Sequence, residues 1–546
     1  MSLKKASAAT TTNKTNGGSS KKKKTAAAAP PKQTNNTGLS IFVAVIAFFA
    51  LGVLSPPSLH AVRHVVTTQQ LDVSSSSLEV DDVKEAQSSL SSASLSTSTN
   101  NNKLRLPPHT PCTSANLANY IHDTPVPGLH IVCIDSLLND DNIENSPTLR
   151  FAFFQNAIKP KLYQRKKLTA SEKTTKHNSG GGSDDVGSID WNQVKQLMVK
   201  ELKLTPEGPR QQPWAVFTPL GERIVGENDD VIISNEQQSS SFSWKNDRRS
   251  KNTIKSNAQI VQELASSGMV LVFQGGNWRW PGVREGFQRT VELSPRLDFT
   301  NENTDSTASV AAATNKRNIT IETLSMTPLV VSIKGFLTDS ECDHIASKAE
   351  PNMKYSGVSL KDIDKGKAAS NWRTSQSAFL HSDNDPILTA IDHRTASLIR
   401  LPKAHQEILQ VLRYGTSEKY DAHHDYFDPK DYKSDPNTLN LIENGKKNRF
   451  ATVFWYLTTV KEGGETIFPR YRNKPLPRGY AYSDCNHGLK VKPQKGKVII
   501  FYSLDARGQM DPLSLHGACP VIGEDDVKWA ANKWIWSGPM GFTADD

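Results

Sequence analysis

The chain of 546 residues is long enough for two or more domains and carries a formal charge of +9. Nearly all of that charge sits at one end: residues 1–38 hold eight lysines and no acid, which leaves about +1 for everything after them. A basic body built to bind nucleic acid is thereby excluded.

Residues 1–38, mostly Lys, Ala, Thr and Asn, are too poor in large apolar groups to form a core and read as a disordered basic cytoplasmic tail. Residues 39–55 follow, with an uncharged apolar run of sixteen from Leu39 to Leu54. A spanning helix usually needs about 20 residues; a short run suits the thin membranes of the early secretory system. The Lys21–Lys24 block ahead of it predicts a cytoplasmic N-terminus. The expectation is a transmembrane signal anchor: a single-pass, type II protein of the endoplasmic reticulum or Golgi membrane, with the body of the chain lumenal. A cleaved signal peptide, which would need an unusually long basic leader, and a buried helix are the rivals. Residues 56–105 are rich in Ser and Thr and read as a flexible stem.

The five cysteines bear on the compartment. In an oxidising lumen Cys112–Cys133 and Cys485–Cys519 are the expected disulfides, leaving Cys342; in the cytosol all five would be free thiols. Asn318-Ile319-Thr320 is the one glycosylation sequon that the anchor places in the lumen.

Residues 106–298 have a globular composition and read as a small, mostly β accessory domain of unassigned role. Pro213 to Phe217 and Gly268 to Phe273 look like short strands. The aromatic turn Gly275 to Gly282 reads first as packing, a Trp-covered corner of a β core, with peptide or sugar binding as the sharper alternative. Residues 299–318 form a linker, and residues 319–543 the last domain. There Thr338-x-x-Glu341 matches a capping box, and Asp385-Pro386 starts a second helix that stops before Pro402. After Gln410 the pattern turns to strands: Val411 to Tyr414, Phe450 to Leu457, Lys497 to Tyr502 and Lys528 to Trp536. Helices followed by many strands suit an α+β fold, a jelly roll backed by helices.

The chemistry lies in Tyr420 to Phe427 and Ser514 to Pro520. His423 and Asp425 are two apart and would share a face of a strand, with His424 turned away. By itself His-x-Asp is equally a polar strand edge. His516 adds a second imidazole, and two imidazoles with one carboxylate on one face of an iron leave positions for a cosubstrate and oxygen. A dicarboxylate cosubstrate needs a buried cation at its far end. Strand alternation sets Lys528 with Trp534 and puts Lys533 on the other face, which selects Lys528 over its neighbour.

Residues 329–536 resemble the catalytic domain of the prolyl 4-hydroxylase alpha-subunit family, above all its plant and algal single-chain type. The stretches that carry this are Gly335 to Cys342, Trp372-Arg373-Thr374-Ser375, Val411 to Gly415, Arg449 to Val453, Glu462 to Pro469, Gly488 to Pro493, and Phe501 to Asp505 leading through Asp511-Pro512 to His516. The resemblance implies a distorted double-stranded β-helix with Fe(II) on His423, Asp425 and His516. It implies 2-oxoglutarate held by Lys528, with Tyr414 and Thr466 as hydroxyl partners, and L-ascorbate to restore oxidised iron. Tyr420, Arg449 and Trp534 would border a groove for a proline-rich peptide. One departure concerns Lys528, which follows His516 by about two residues more than the family pattern implies; the acidic turn Gly523 to Val527 takes up the difference. The activity expected is C4 hydroxylation of peptidyl proline with Fe(II), O2 and 2-oxoglutarate, releasing succinate and CO2. The alternatives are a 2-oxoglutarate oxygenase acting on another side chain or a small molecule, and an inactive binder of proline-rich peptides.

Overall fold

The structure, a computed structural model, describes residues 107–137, 148–159, 165–169, 189–204, 213–229, 231–232, 255–293 and 316–540. The expected tail, anchor and stem all lie outside the described residues, and among the described ones no helix is long and apolar enough to cross a membrane.

The first part builds a six-stranded sheet. Its strands are β1 (Leu129–Leu137), β2 (Thr148–Phe154), β3 (Arg165–Thr169), β4 (Ala215–Phe217), β5 (Arg223–Gly226) and, after the short pair β6 (Val231–Ile232) and β7 (Lys255–Ser256), β8 (Met269–Phe273). They lie in the order β3-β2-β1-β8-β4-β5. β8 is buried along its whole length because both faces are covered. One face packs on two helices, Trp191–Leu202 and Asn257–Ser267, through Val194, Met198, Ile260 and Leu264. Both helices start with a capping box, Asp190 with Gln193 and Ser256 with Gln259. The region is the expected mostly β domain with two helices packed on one face.

The opposite face shares one core with the last domain, in which Phe217, Phe273 and Trp278 join Val331, Val453 and Ile535. The backbone joins too: β9 (Gln288–Leu293) pairs with β10 (Arg317–Met326). The boundary expected at 298 therefore separates two strands of a single sheet, and β10 begins inside the expected linker. The aromatic turn is packing: Trp278 and Trp280 are each 1% exposed, and Trp280 Nε1 donates to the Leu398 carbonyl at 2.8 Å.

The catalytic part continues with β11 (Leu329–Lys334), β12 (Lys354–Tyr355), β13 (Gln376–Leu380), β14 (Leu409–Tyr414), β15 (Tyr420–His423), β16 (Arg449–Tyr456), β17 (Thr466–Phe468), β18 (Leu489–Val491), β19 (Val498–Tyr502), β20 (His516–Ala518) and β21 (Lys528–Trp536). Nine strands form a large antiparallel sheet in the order β12-β13-β14-β21-β16-β19-β11-β10-β9, and four a smaller one in the order β15-β20-β17-β18. Two sheets with a core between them are the expected jelly roll. The helix Asp339–Ala349 is capped by Thr338 and Glu341, and Pro386–Ile399 starts with Asp385 as cap and Pro at its first position. Both expected disulfides are present, Cys112–Cys133 and Cys485–Cys519, while Cys342 is a buried free thiol.

Candidate active site

His423 and His516 face each other as direct partners across β15 and β20 of the small sheet. Asp425 does not continue the strand, as the alternation argument required: β15 ends at His423 and the chain bends. That bend turns the Asp425 carboxylate between the imidazoles, 3.7 Å from His423 Nε2 and 3.5 Å from His516 Nε2. One potential ligand atom from each residue lies within 4.8 Å of the others, as a single metal ion requires.

The surroundings orient all three. Each Nδ1 donates to a backbone carbonyl two residues earlier, His423 to Asp421 at 2.8 Å and His516 to Ser514 at 3.0 Å. That leaves both Nε2 atoms as lone-pair ligands. Thr452 Oγ1 donates to Asp425 Oδ2 at 2.6 Å and fixes the carboxylate plane. Burial and the neighbouring His516 push the His423 imidazole down, so it is neutral near physiological pH. Burial opposes charge on Asp425, but His516 and His423 with the Arg449 guanidinium and the Thr452 hydrogen bond together outweigh it, and its carboxyl sits below the usual range. His424 is elsewhere, with Nε2 near the Pro512 carbonyl and its ring on Tyr426.

Lys528 opens β21, directly opposite Tyr414. The extra residues before it are absorbed in a turn where Asp526 accepts from the backbone of Lys461 and Glu462, so register is kept. Lys528 is fully buried, and its Nζ has no hydrogen-bond partner among the described residues. Rings surround it, with centroids at 5.0 Å for Tyr414, 5.6 Å for Phe454 and 5.9 Å for Tyr456. Burial pulls its pKa down to about 7, against a weak upward pull from Glu465. A buried cation without a partner is costly unless an anion joins it. Thr466, buried on β17, accepts from the Tyr456 hydroxyl at 2.7 Å, which leaves its own proton to donate.

Tyr420 stacks on His423 with centroids 3.7 Å apart, and the Arg373 guanidinium lies 4.7 Å from the Tyr420 ring. Arg449 Nε and Nη2 are held by Glu407 at 2.6 and 2.9 Å, and its guanidinium lies 3.7 Å from the Trp534 ring. Trp534 Nε1 and Arg373 Nη2 are buried donors without acceptors among the described residues. Sequence reasoning missed Thr452, Tyr456, Arg373 and Glu407. Thr452 and Tyr456 could have been found from alternation along β16, where they share one face; Arg373 stood in a quoted motif without a role.

Residues 409–536 match the model of the 2OG-Fe(II) oxygenase superfamily. Prolyl 4-hydroxylase 2 of Arabidopsis thaliana is 41% identical over 221 residues, 39% of this chain and 69% of that protein. Prolyl 4-hydroxylase 13 of the same plant is 36% identical over 233 residues, 42% of this chain and 79% of that one. Among solved structures, the viral collagen prolyl hydroxylase of Paramecium Bursaria Chlorella virus-1, in complex with 2OG, is 26% identical over 38% of this chain and 95% of its own, with a TM-score of 0.26. The protein is an oxidoreductase of the 2OG-Fe(II) oxygenase superfamily. Within it, the chain belongs to the prolyl 4-hydroxylase family, whose cofactor is Fe(II) and whose cosubstrate is 2-oxoglutarate; ascorbate is typical of the family. The residues present fit both groups: three orientated ligands for a metal, and an unpaired buried cation for the distal carboxylate.

Proposed function

We propose that the protein hydroxylates peptidyl proline at C4 in extended, proline-rich chains. The observation that carries this reading is the pairing of His423, Asp425 and His516 with an unpartnered Lys528 in the same space between the two sheets. In the proposal His423, Asp425 and His516 hold the iron, while Lys528, Thr466 and Tyr414 receive 2-oxoglutarate. Iron with 2-oxoglutarate and O2 supplies the oxidising power, with succinate and CO2 as by-products.

The chain's own residues do the rest. The buried rings of Tyr414, Phe454 and Tyr456 keep water from the Lys528 ammonium, so its attraction for a carboxylate is little screened. Tyr420, Arg449 and Trp534 offer an aromatic and cationic wall to the peptide. A polyproline II chain has no internal hydrogen bonds, so its carbonyls seek outside donors. The donors Trp534 Nε1 and Arg373 Nη2 belong to this wall, buried and without acceptors among the described residues.

The site of action in this reading is the lumen of the endoplasmic reticulum or Golgi, with residues 39–55 as anchor. Two disulfides and an exposed Asn318 support it. The test is 2-oxoglutarate decarboxylation by the full chain with and without a proline-rich peptide. Peptide-stimulated turnover that yields 4-hydroxyproline, and is lost in the double variant His423→Ala, Asp425→Ala, is expected. No stimulation by the peptide overturns the substrate; turnover surviving the double variant overturns the iron site. Protease protection of the C-terminal body in sealed microsomes is expected, and digestion there removes the lumenal assignment.

A further inference from the structure

The large sheet has one face in the shared core and one that carries the site. On β21 the site face holds Lys528, Ala530, Asn532 and Trp534. Thr452 of β16, which fixes the Asp425 carboxylate, stands directly opposite Trp534, so Trp534 lies beside the metal ligands. Register carries the same face outward to the sheet edge: Asn532 is opposite Gln410 on β14, and Gln410 is opposite Phe379 on β13. The neighbours that alternate with them, Leu409, Val411, Ala378 and Leu380, fill the core on the other side.

Phe379 is 55% exposed. A single exposed apolar residue is ordinary and by itself needs no explanation; the place of this one is what sets it apart. Between Trp534 and Phe379 the surface is a polar floor whose groups meet each other, with Asn532 Nδ2 donating to Gln410 Oε1 at 3.2 Å. The edge strand β12 pairs only Lys354 with Ser377 and Tyr355 with Gln376, and stops short of Phe379. The ring is therefore the open apolar rim of a floor that starts at Trp534. Two strand spacings across and two residues along separate them, ~12 Å. A polyproline II chain rises about 3.1 Å per residue, so a chain resting on Trp534 reaches Phe379 about four residues further on. An exposed aromatic face suits a pyrrolidine ring, since covering both removes apolar surface from water.

We propose that Phe379 is an outer subsite of the peptide groove and takes the ring of a proline about four residues from the one hydroxylated. The inference rests on the peptide reading of the proposed function. It makes the protein favour runs of proline over isolated ones, because only a run fills the groove from Trp534 to the sheet edge.

The experiment is steady-state hydroxylation by the full chain, as wild type, Phe379→Thr and Phe379→Tyr, of two capped oligoprolines. One has about fifteen residues; the other has four, spans only ~9 Å and cannot reach from Trp534 to Phe379. Threonine suits an exposed strand position, so Tm should not change. Phe379→Thr is expected to raise KM for the long peptide roughly fivefold, the size of one lost aromatic contact. Its KM for the short peptide, its kcat and its 2-oxoglutarate KM should stay as in wild type, and Phe379→Tyr should behave as wild type throughout. An unchanged KM for the long peptide overturns the inference, and so does an equal rise for both lengths, which would report a disturbed groove. If Phe379→Thr dissolves a wild-type dimer in light scattering while peptide KM stays put, the ring serves a second copy of the chain and the inference falls. Wild type that turns over neither peptide removes the peptide reading itself.

Discussion

Lys528 and Lys533 belong to one strand and are both buried, at 0 and 3% exposure, yet they face opposite ways into different surroundings. Lys533 meets Asp392 of the helix Pro386–Ile399 at 2.7 Å and is complete within the protein. Lys528 lies among rings and its Nζ has no hydrogen-bond partner among the described residues. A fold that can pair one buried lysine and leaves the other bare has left room for an anion. The contrast teaches that one residue type can stabilise the fold at one position and strain it at the next but four, with only the second open to a ligand.

Substitution of each lysine by methionine should split the two roles. Lys533→Met strands a buried carboxylate, and calorimetry should show a loss of about 3–5 kcal/mol, with 2-oxoglutarate KM unchanged in the folded fraction. Lys528→Met removes an unpaired buried charge, so the cosubstrate-free protein should melt no lower than wild type. Its 2-oxoglutarate KM should rise roughly 30-fold or more, the effect of about 2 kcal/mol or greater for losing one partner of a buried charge pair. A fall in Tm for Lys528→Met with unchanged KM would erase the contrast.

The pH dependence sharpens it. Burial depresses the Lys528 pKa to about 7, and the cation is the form that receives a carboxylate. Below pH 7 the ammonium is already present; above it, binding must take up a proton. Apparent affinity for 2-oxoglutarate should therefore weaken roughly fivefold from pH 7 to 8, following the charged fraction. Isothermal titration in buffers of different ionisation enthalpy should show proton uptake at pH 8. In the cosubstrate-free protein the sign for stability is the reverse: the folded form binds fewer protons than the unfolded form between pH 7 and the ordinary lysine pKa, so this group's contribution rises with pH across that window. Lys528→Met should abolish both trends. The smallest expected change is in Tyr456→Phe, which loses the bond that orients Thr466; about 1 kcal/mol, read as a few-fold rise in 2-oxoglutarate KM, is expected with no change in metal affinity.

Much of this site was legible in the sequence because its elements obey local rules. Alternation along Lys528–Trp536 separated the two lysines correctly, and the caps at Thr338 and Asp385 started helices where they stand. The His423 and Asp425 pair was found for a reason that does not hold, since a bend after β15, not strand geometry, brings them together. Thr452 and Tyr456 stayed hidden because their roles depend on which strand of the other sheet lies opposite, a long-range fact. The same holds for the first half of the molecule. Capping boxes at Asp190 and Ser256 were there to be read, but that β9 would cross into the catalytic sheet was not, for strand pairing over a polar connection leaves no local mark.

The shared sheet and core also have a practical meaning for anyone expressing this enzyme. Cutting before residue 319, where the expected last domain begins, would strip β9 from β10 and lay bare an edge strand together with the apolar faces that Phe217, Phe273, Trp278 and Trp280 now cover. Such a piece would resemble the shorter relatives in sequence but present a sticky surface, prone to aggregate. A piece that keeps those faces covered must retain the first sheet together with Cys112, Leu117 and Tyr120, which pack on the same core, so its length is set by what must be kept dry.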